Sequence, residues 1–254
     1  METVVFLCED EIDGIFTGIY DAWASGYGHA NVRVEASQGQ TCALFCRYVT
    51  VQTDPEKAEK VARSVRQKIS VRAYHLLCRA AYSAEPDKGD AMYRFLVEGF
   101  RYGARITTML TNPAVMRMFE LDRYVGNEAH FWREFIRFKH LKSGIYFGKI
   151  EPINRVATLI APAFADRMPS ENWAIFDATW GDVVVHRADG PWVLVRPEGN
   201  EWERMLQESG EEDRFQGLWQ TFFRQIAIEQ RENPKCQQNH MPLRYRKHAV
   251  EFWR

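Results

Sequence analysis

The stretch from Asn127 to Leu141, Asn-Glu-Ala-His-Phe-Trp-Arg-Glu-Phe-Ile-Arg-Phe-Lys-His-Leu, carries residues suited to gripping an anion. As a helix it would place His130, Arg133, Arg137 and His140 at i, i+3, i+7 and i+10 along one face. Phe131, Phe135 and Phe138, with Trp132 and Ile136 beside them, would form a broad apolar face. Asn127, following Gly126, is suited to cap the helix start, where unsatisfied N–H groups favour a phosphate. A cationic stripe backed by aromatics can hold a nucleic-acid backbone through charge and hydrogen bonds. The alternative is a solvated helix face, or ion pairs with the acidic segment 198–213.

A second cluster lies near the C-terminus, where Arg244, Arg246, Lys247 and His248 crowd around Tyr245. Arginine forks suit phosphate, and a tyrosine ring can stack on a base. The same residues would equally serve a basic tail docking on an acidic patch of its own protein. A third basic stretch, Glu56 to Arg79, spreads Lys57, Lys60, Arg63, Arg66, Lys68, Arg72 and Arg79 around a helix among glutamates. It reads as a solvated face.

Acid–base chemistry has fewer candidates. In a hairpin of Trp173–Asp177 with Val183–His186, one register would bring Asp177 and His186 together as a diagonal pair, a carboxylate orienting an imidazole. A one-residue slip would separate them. Asp166 and Arg167, with Asn172 and Trp173, would line the same cleft. Metal ligation is not expected. Cys42 and Cys46 have no second cysteine pair at zinc-site spacing, and His75 with Cys78 supplies only two ligands. No close three-cysteine cluster exists for an iron–sulfur centre. Phosphate-binding Gly-x-x-x-x-Gly-Lys-Ser/Thr, dinucleotide Gly-x-Gly-x-x-Gly and Gly-x-Ser-x-Gly patterns are all missing, so no cofactor is expected.

These residues must be positioned by the elements around them. Thr3–Leu7 reads as a strand, and 11–25 as a helix with Ile12, Ile15, Phe16, Ile19 and Trp23 at helical spacing. A β-branched run spans 41–51. Asp54 before Pro55 marks a helix start, and helical patterning then continues to about 141, with breaks at Ser70, Pro86–Gly89, Asn112–Pro113 and Gly126–Asn127. Ile145–Ile150 reads as a strand, 154–166 as a short helix, then the hairpin and Trp192–Val195. A helix is expected near 214–230, and short helical turns at Pro234 and Pro242. A helical middle flanked by strand-bearing ends predicts an α+β fold, or a mixed α/β one. The expectation is one domain over 1–254, with any subdivision near 142–144.

Formal net charge is −1, so an anion site must come from local asymmetry. No apolar run reaches the roughly 20 residues that span a bilayer. The acidic start is unlike a signal peptide, and five scattered cysteines fit reduced thiols. A cytoplasmic protein without membrane contact is expected.

Several segments, taken together, carry a resemblance. They are Phe6-Leu-Cys-Glu-Asp with Ile15-Phe-Thr-Gly-Ile-Tyr-Asp-Ala-Trp; Asn127-Glu-Ala-His with Phe135-Ile-Arg-Phe; Glu151-Pro with Leu159-Ile-Ala-Pro-Ala-Phe-Ala-Asp-Arg; Asn172-Trp-Ala-Ile-Phe-Asp; and Asn233-Pro-Lys with Met241-Pro-Leu-Arg-Tyr-Arg-Lys. In order and spacing they resemble an uncharacterised bacterial family, a domain of unknown function ascribed to DNA metabolism or DNA repair. Members are encoded beside a radical-SAM protein, and a similar domain occurs fused to uracil-DNA-glycosylase-like domains. The resemblance implies a DNA-linked role and a radical-SAM protein as partner, but brings no established catalytic residue.

Three readings follow. The first is a nucleic-acid-binding accessory protein in DNA repair or modification, with Arg133, Arg137, Arg244, Arg246 and Lys247 on phosphates and Tyr245, Trp132 or Trp173 as stacking surfaces. The second is a hydrolase or glycosylase acting on a damaged base through Asp177. The third is a protein-interaction module that never touches DNA.

Overall fold

The computed structural model describes residues 3–36, 45–197, 221, 225 and 233–252. The architecture is α+β, with a three-stranded and a five-stranded sheet. The chain divides into two compact units, Met1–Gly126 and Asn127–Arg254, so the change of pattern near 142–144 lies inside the second. The predicted helix at 214–230 and the acidic segment 198–213 lie outside the described residues, apart from positions 221 and 225.

In the first unit, β1 (Thr3–Cys8) lies between β2 (Val32–Ala36) and β3 (Cys46–Thr50), parallel to both. Phe6 faces Val34 on one side and Val49 on the other. Helix α1 (Ile12–Ala24) follows β1 and buries Ile15, Phe16 and Ile19. The β2 strand is not among the elements expected from sequence, although Val-Arg-Val-Glu-Ala alternates as a half-buried strand should. Of the run expected at 41–51, residues 41–44 lie outside the described residues.

The next two helices begin where local capping predicts. Asp54 accepts the N–H groups of Glu56 and Lys57 at the start of α2 (Pro55–Lys68). Ser70 caps α3 (Val71–Ala80) through the Ala73 N–H. Helix α4 (Lys88–Tyr102) opens with a buried lysine. The Lys88 ammonium donates to the carbonyls of Ala81 at 3.0 Å and Ser83 at 2.6 Å, and pairs with Asp10. Next to it, Gly89 lets α4 approach β2 closely, because a Cβ there would stand 2.6 Å from the Val34 carbonyl oxygen. Gly89→Ala must therefore shift backbone against backbone. It should cost about 1–3 kcal/mol, read as a lowered thermal midpoint, whereas an unchanged midpoint would mean the helix moves without cost.

Helix α5 runs from Pro113 to Phe135 without a break, capped by Asn112, which accepts from Ala114 and Val115. This corrects the expected helix at 127–141. Gly126 sits inside α5 with nothing within 4 Å of a Cβ placed there, and Asn127 is an interior residue rather than a cap. A helix nucleated by a strong upstream cap tolerates one glycine at a cost of about 1 kcal/mol.

In the second unit, α5 ends at Phe135, and Phe138–His140 forms a strand, β4, paired antiparallel with β5 (Tyr146–Ile150). The sheet order is β4-β5-β6-β7-β8, with β6 at Trp173–Asp177, β7 at Val183–His186 and β8 at Trp192–Val195. β5 and β6 are parallel and are joined through α6 (Ala157–Arg167), which packs on β6, β7 and β8. The remaining pairings are antiparallel. Near the C-terminus, α7 (Pro234–His240) is capped by the Asn233 side chain, and Pro242 precedes α8 (Leu243–Arg246). Among the described residues no helix is long and apolar enough to cross a membrane.

Candidate nucleic-acid interface

The two cation-bearing stretches of the second unit do meet, but through their aromatic residues. Tyr245 is fully buried, with its ring centroid 5.3 Å from Phe131, 4.9 Å from Trp132 and 5.9 Å from Phe135. Burial pushes its phenol up to about 12. Trp132 is 1% exposed and Trp173 0%, so all three rings expected as stacking surfaces belong to the interior. The pattern Arg-Tyr-Arg is amphipathic in the opposite sense from that expected, with the ring inward and the cations at its edge.

Ending α5 at Phe135 also dissolves the four-residue stripe. Arg137 lies past the helix end and His140 on β4. Arg137 pairs at 2.6 Å with Glu251, whose side chain is 4% exposed, and donates to the carbonyls of Glu134 and Ile136. Arg246 lies over the Phe252 ring at 4.7 Å and donates to the Met241 carbonyl. Both arginines tie the C-terminal segment down instead of facing outward. Arg133 is half-buried. His130, 59% exposed, sits 3.1 Å from Glu134.

Two cations of the C-terminal cluster keep substantial exposure. Arg244 is 45% exposed, its guanidinium over its own Tyr245 ring and donating to the Tyr245 hydroxyl at 2.7 Å. Its nearest carboxylate is Glu128, at 3.7 Å. Glu128 is 2% exposed and already accepts three donors: the backbone N–H groups of Ile153 and Asn154 and the Asn154 amide, at 2.7–2.9 Å. Its charge is thus held by the 153–154 turn, and Arg244 is placed beside it without being used up. Lys247, 64% exposed, pairs with Glu151, as does His248. Burial raises the Glu151 carboxyl, but Lys247, His248 and Lys149 outweigh that and leave it below the usual range. Burial outweighs Glu151 at His248 and lowers that imidazole.

Sequence reasoning does not reach Glu128 and Glu151 as functional candidates. A signal is present, because Asn127-Glu-Ala-His, Glu151-Pro and Met241-Pro-Leu-Arg-Tyr-Arg-Lys are three of the segments that carry the family resemblance. The fold brings those three together: Glu128 holds the turn just after Glu151-Pro152, while Arg244 and Lys247 reach Glu128 and Glu151.

The acid–base candidates are dispersed. The hairpin pairs Trp173 with His186 and Phe176 with Val183, which puts Asp177 and His186 at opposite ends, roughly 13 Å apart along the strand. Asp177 is fully buried. Its Oδ1 accepts the N–H groups of Thr179 and Trp180, closing the turn that needs Gly181 at φ +74°. Burial pushes its carboxyl up to about 7, opposed by those two N–H groups and reinforced by Asp182 and Glu128. His186, 3% exposed, donates from Nδ1 to the Glu171 carbonyl and stacks on Trp173 at 4.9 Å. Asp166 and Arg167 are exposed at the end of α6, with Arg167 over the Phe164 ring. Exposed Asn172 uses its carbonyl oxygen to accept the Ala188 N–H.

Among the described residues no group of three or more His, Cys, Asp or Glu could hold a metal ion. The four described cysteines are all free thiols. Burial pushes Cys8 up to about 12, which makes it inert.

Comparison with known families gives a match. The family model described as Domain of unknown function (DUF4130) matches residues 86–251. The chain belongs to that family. The DUF4130 match runs from just before α4 to the last described turn, so it takes in Glu128, Glu151, Asp177 and Arg244–Lys247 and leaves out β1 to α3. No curated protein matches the chain. A solved structure described as a member of the s1p family of ribosomal proteins, DHH domain, is similar over 74% of each chain, at 10% identity and a TM-score of 0.36.

Proposed function

We propose that this DUF4130 protein is a cytoplasmic accessory factor in DNA repair or modification, which binds a nucleic-acid backbone through its second unit and acts with a radical-SAM protein. One observation carries the binding reading. Arg244 is fixed by Tyr245 at an exposed edge, next to a carboxylate that backbone donors have already satisfied. A phosphate can then approach Arg244 and Lys247 without first breaking a buried ion pair. The segments that meet there are those by which the chain resembles DNA-metabolism proteins encoded with a radical-SAM neighbour, and that resemblance is what supports the partner.

Arg137 and Arg246 are poor choices for a test, because each holds the C-terminal segment in place. The informative variant is Arg244→Ser with Lys247→Ser, both at exposed positions. It should weaken binding of a labelled DNA duplex or single strand. It should also reduce the slope of log K against log salt by roughly 0.7–0.9 for each phosphate that is no longer neutralised. Equal affinity and equal slope in the double variant would dismiss the assignment.

A protein-interaction module is the second reading, favoured by the exposed cations Arg244 and Lys247, each set beside a carboxylate, buried Glu128 and half-buried Glu151. It predicts a stable complex with the radical-SAM protein, abolished in the same double variant, and no DNA binding by the chain alone. Base chemistry at Asp177 has no geometric support, since that carboxyl is sealed inside a turn.

A further inference from the structure

The first unit has a cleft of about 560 Å³ between α1, α2 and α4. That volume lies in the range of small-molecule sites, roughly 300–1,000 Å³. Its floor is apolar and rigid, formed by Ile19, Val61 and Leu96, all at most 8% exposed. Three aromatic rings stand around it: Tyr20, Trp23 and Phe100. Trp23 is 39% exposed yet immobilised. It meets Phe100 edge-on at 5.4 Å, Tyr93 at 6.0 Å and His29 at 4.5 Å, and His29 is itself hydrogen-bonded to the Tyr93 hydroxyl at 2.8 Å. A large ring held rigid and partly bare offers stacking area with little ordering cost.

The polar residues of the cleft come from one row of α2. Lys60, Ser64 and Lys68 follow at i, i+4 and i+8, spanning about 12 Å of the helix axis. Among the described residues the lining contains no carboxylate. The nearest acidic group on α1, Asp21, pairs with Lys57 at 2.8 Å instead. Lys60 leans toward the Tyr20 ring, its ammonium 5.9 Å from the centroid, which keeps the charge at the aromatic edge of the cleft. The pairing of flat π surfaces with ammonium groups and a hydroxyl fits a ligand that is planar and aromatic at one end and multiply anionic at the other. Base–aromatic stacking with phosphate contacts from lysine is the chemistry of nucleotide binding.

We infer that the cleft of the first unit binds a nucleotide, with the base against Trp23 and Tyr20 and the phosphate held by Lys60, Ser64 and Lys68. The site does not rest on the basic edge of the second unit. Most of its lining also precedes the DUF4130 match, which begins at residue 86. The nucleotide can be a free monophosphate or one unstacked residue of a strand, and the two sources separate experimentally.

The test is calorimetric titration of the full chain with AMP, adenosine and inorganic phosphate, and anisotropy of a fluorescein-labelled single-stranded oligothymidine. AMP should bind, adenosine about tenfold more weakly, and inorganic phosphate without saturation. Lys60→Glu with Lys68→Glu, both at exposed positions, should lower AMP affinity about tenfold or more and leave the melting profile unchanged. Trp23→Leu should weaken AMP and adenosine alike, which separates stacking from charge; if it unfolds the aromatic cluster, Tyr20→Leu serves the same purpose. Oligothymidine binding abolished in the Lys60/Lys68 variant but kept in the Arg244/Lys247 variant would assign the site to a strand. Binding of AMP without oligothymidine would assign it to free nucleotide. Failure of both probes to bind, or binding of either that ignores the Lys60/Lys68 reversal, overturns the inference and leaves the proposed role of Arg244 and Lys247 untouched.

Discussion

Tyr245→Ala will cost about 3–5 kcal/mol of stability and open the segment 233–252 to hydrogen exchange. The ring is fully buried among Phe131, Trp132 and Phe135, so its removal leaves a cavity lined by three aromatic faces. The same ring is the main apolar anchor of a short segment whose helices, α7 and α8, are too brief to persist alone. Tyr245→Phe keeps the packing and loses only the hydroxyl that accepts from Arg244, a change worth about 1 kcal/mol. If exchange at 233–252 is as slow in the alanine variant as in the parent, then Arg137, Arg246 and Lys247 hold the segment without the ring, and its anchoring role is wrong.

The second large effect concerns pH. The folded Asp177 carboxyl titrates near 7, against an ordinary value of 3.8. Below the ordinary value both folded and unfolded chains hold the proton. Between the two values only the folded chain keeps it, so stability falls as pH rises, and the loss is complete above about 7. The full difference is up to about 4 kcal/mol. Asp177→Asn keeps an oxygen to accept from Thr179 and Trp180 but carries no buried charge. The variant should match the parent near pH 4 and exceed it in unfolding free energy near pH 8. Parallel stability curves for the two proteins across that window would show that Asp177 is not the group responsible.

Capping chemistry is the most legible part of the sequence. Asp54-Pro55, Ser70 and Asn112-Pro113 each begin a helix, because a cap satisfies donors two or three residues away and needs nothing else from the fold. Gly126-Asn127 imitates the same signal inside α5, where the upstream cap and the packing of Leu121, Val125, Ala129 and Trp132 outweigh it. Residues 138–140 read as helix in the sequence because Phe135 and Phe138 continue the spacing of Phe131. Only the pairing with Tyr146–Gly148, a non-local fact, pulls them into a sheet.

The site is legible in its residues and not in their orientation. Arg244, Tyr245 and Lys247 sit where charge and aromaticity suggest, beside the last turns of α5. Whether a ring between two arginines points inward depends on what covers it, and here Phe131, Trp132 and Phe135 do. The Asp177–His186 pairing depends on register, which the turn at 178–182 fixes through Asp177 itself. Glu128 shows nothing locally, because its importance comes from the 153–154 turn, 25 residues further along the chain.

The strand order of the first unit sets a timetable for synthesis. β1 lies in the middle of its sheet, yet both neighbours follow it in the chain, ending at Ala36 and Thr50. A ribosome adding roughly 5–20 residues each second leaves the Val4-Val5-Phe6 core without either flank for a period on the order of seconds. During that interval the nascent chain presents an apolar strand with two open edges, and α1, which follows β1 directly, is made early enough to cover it.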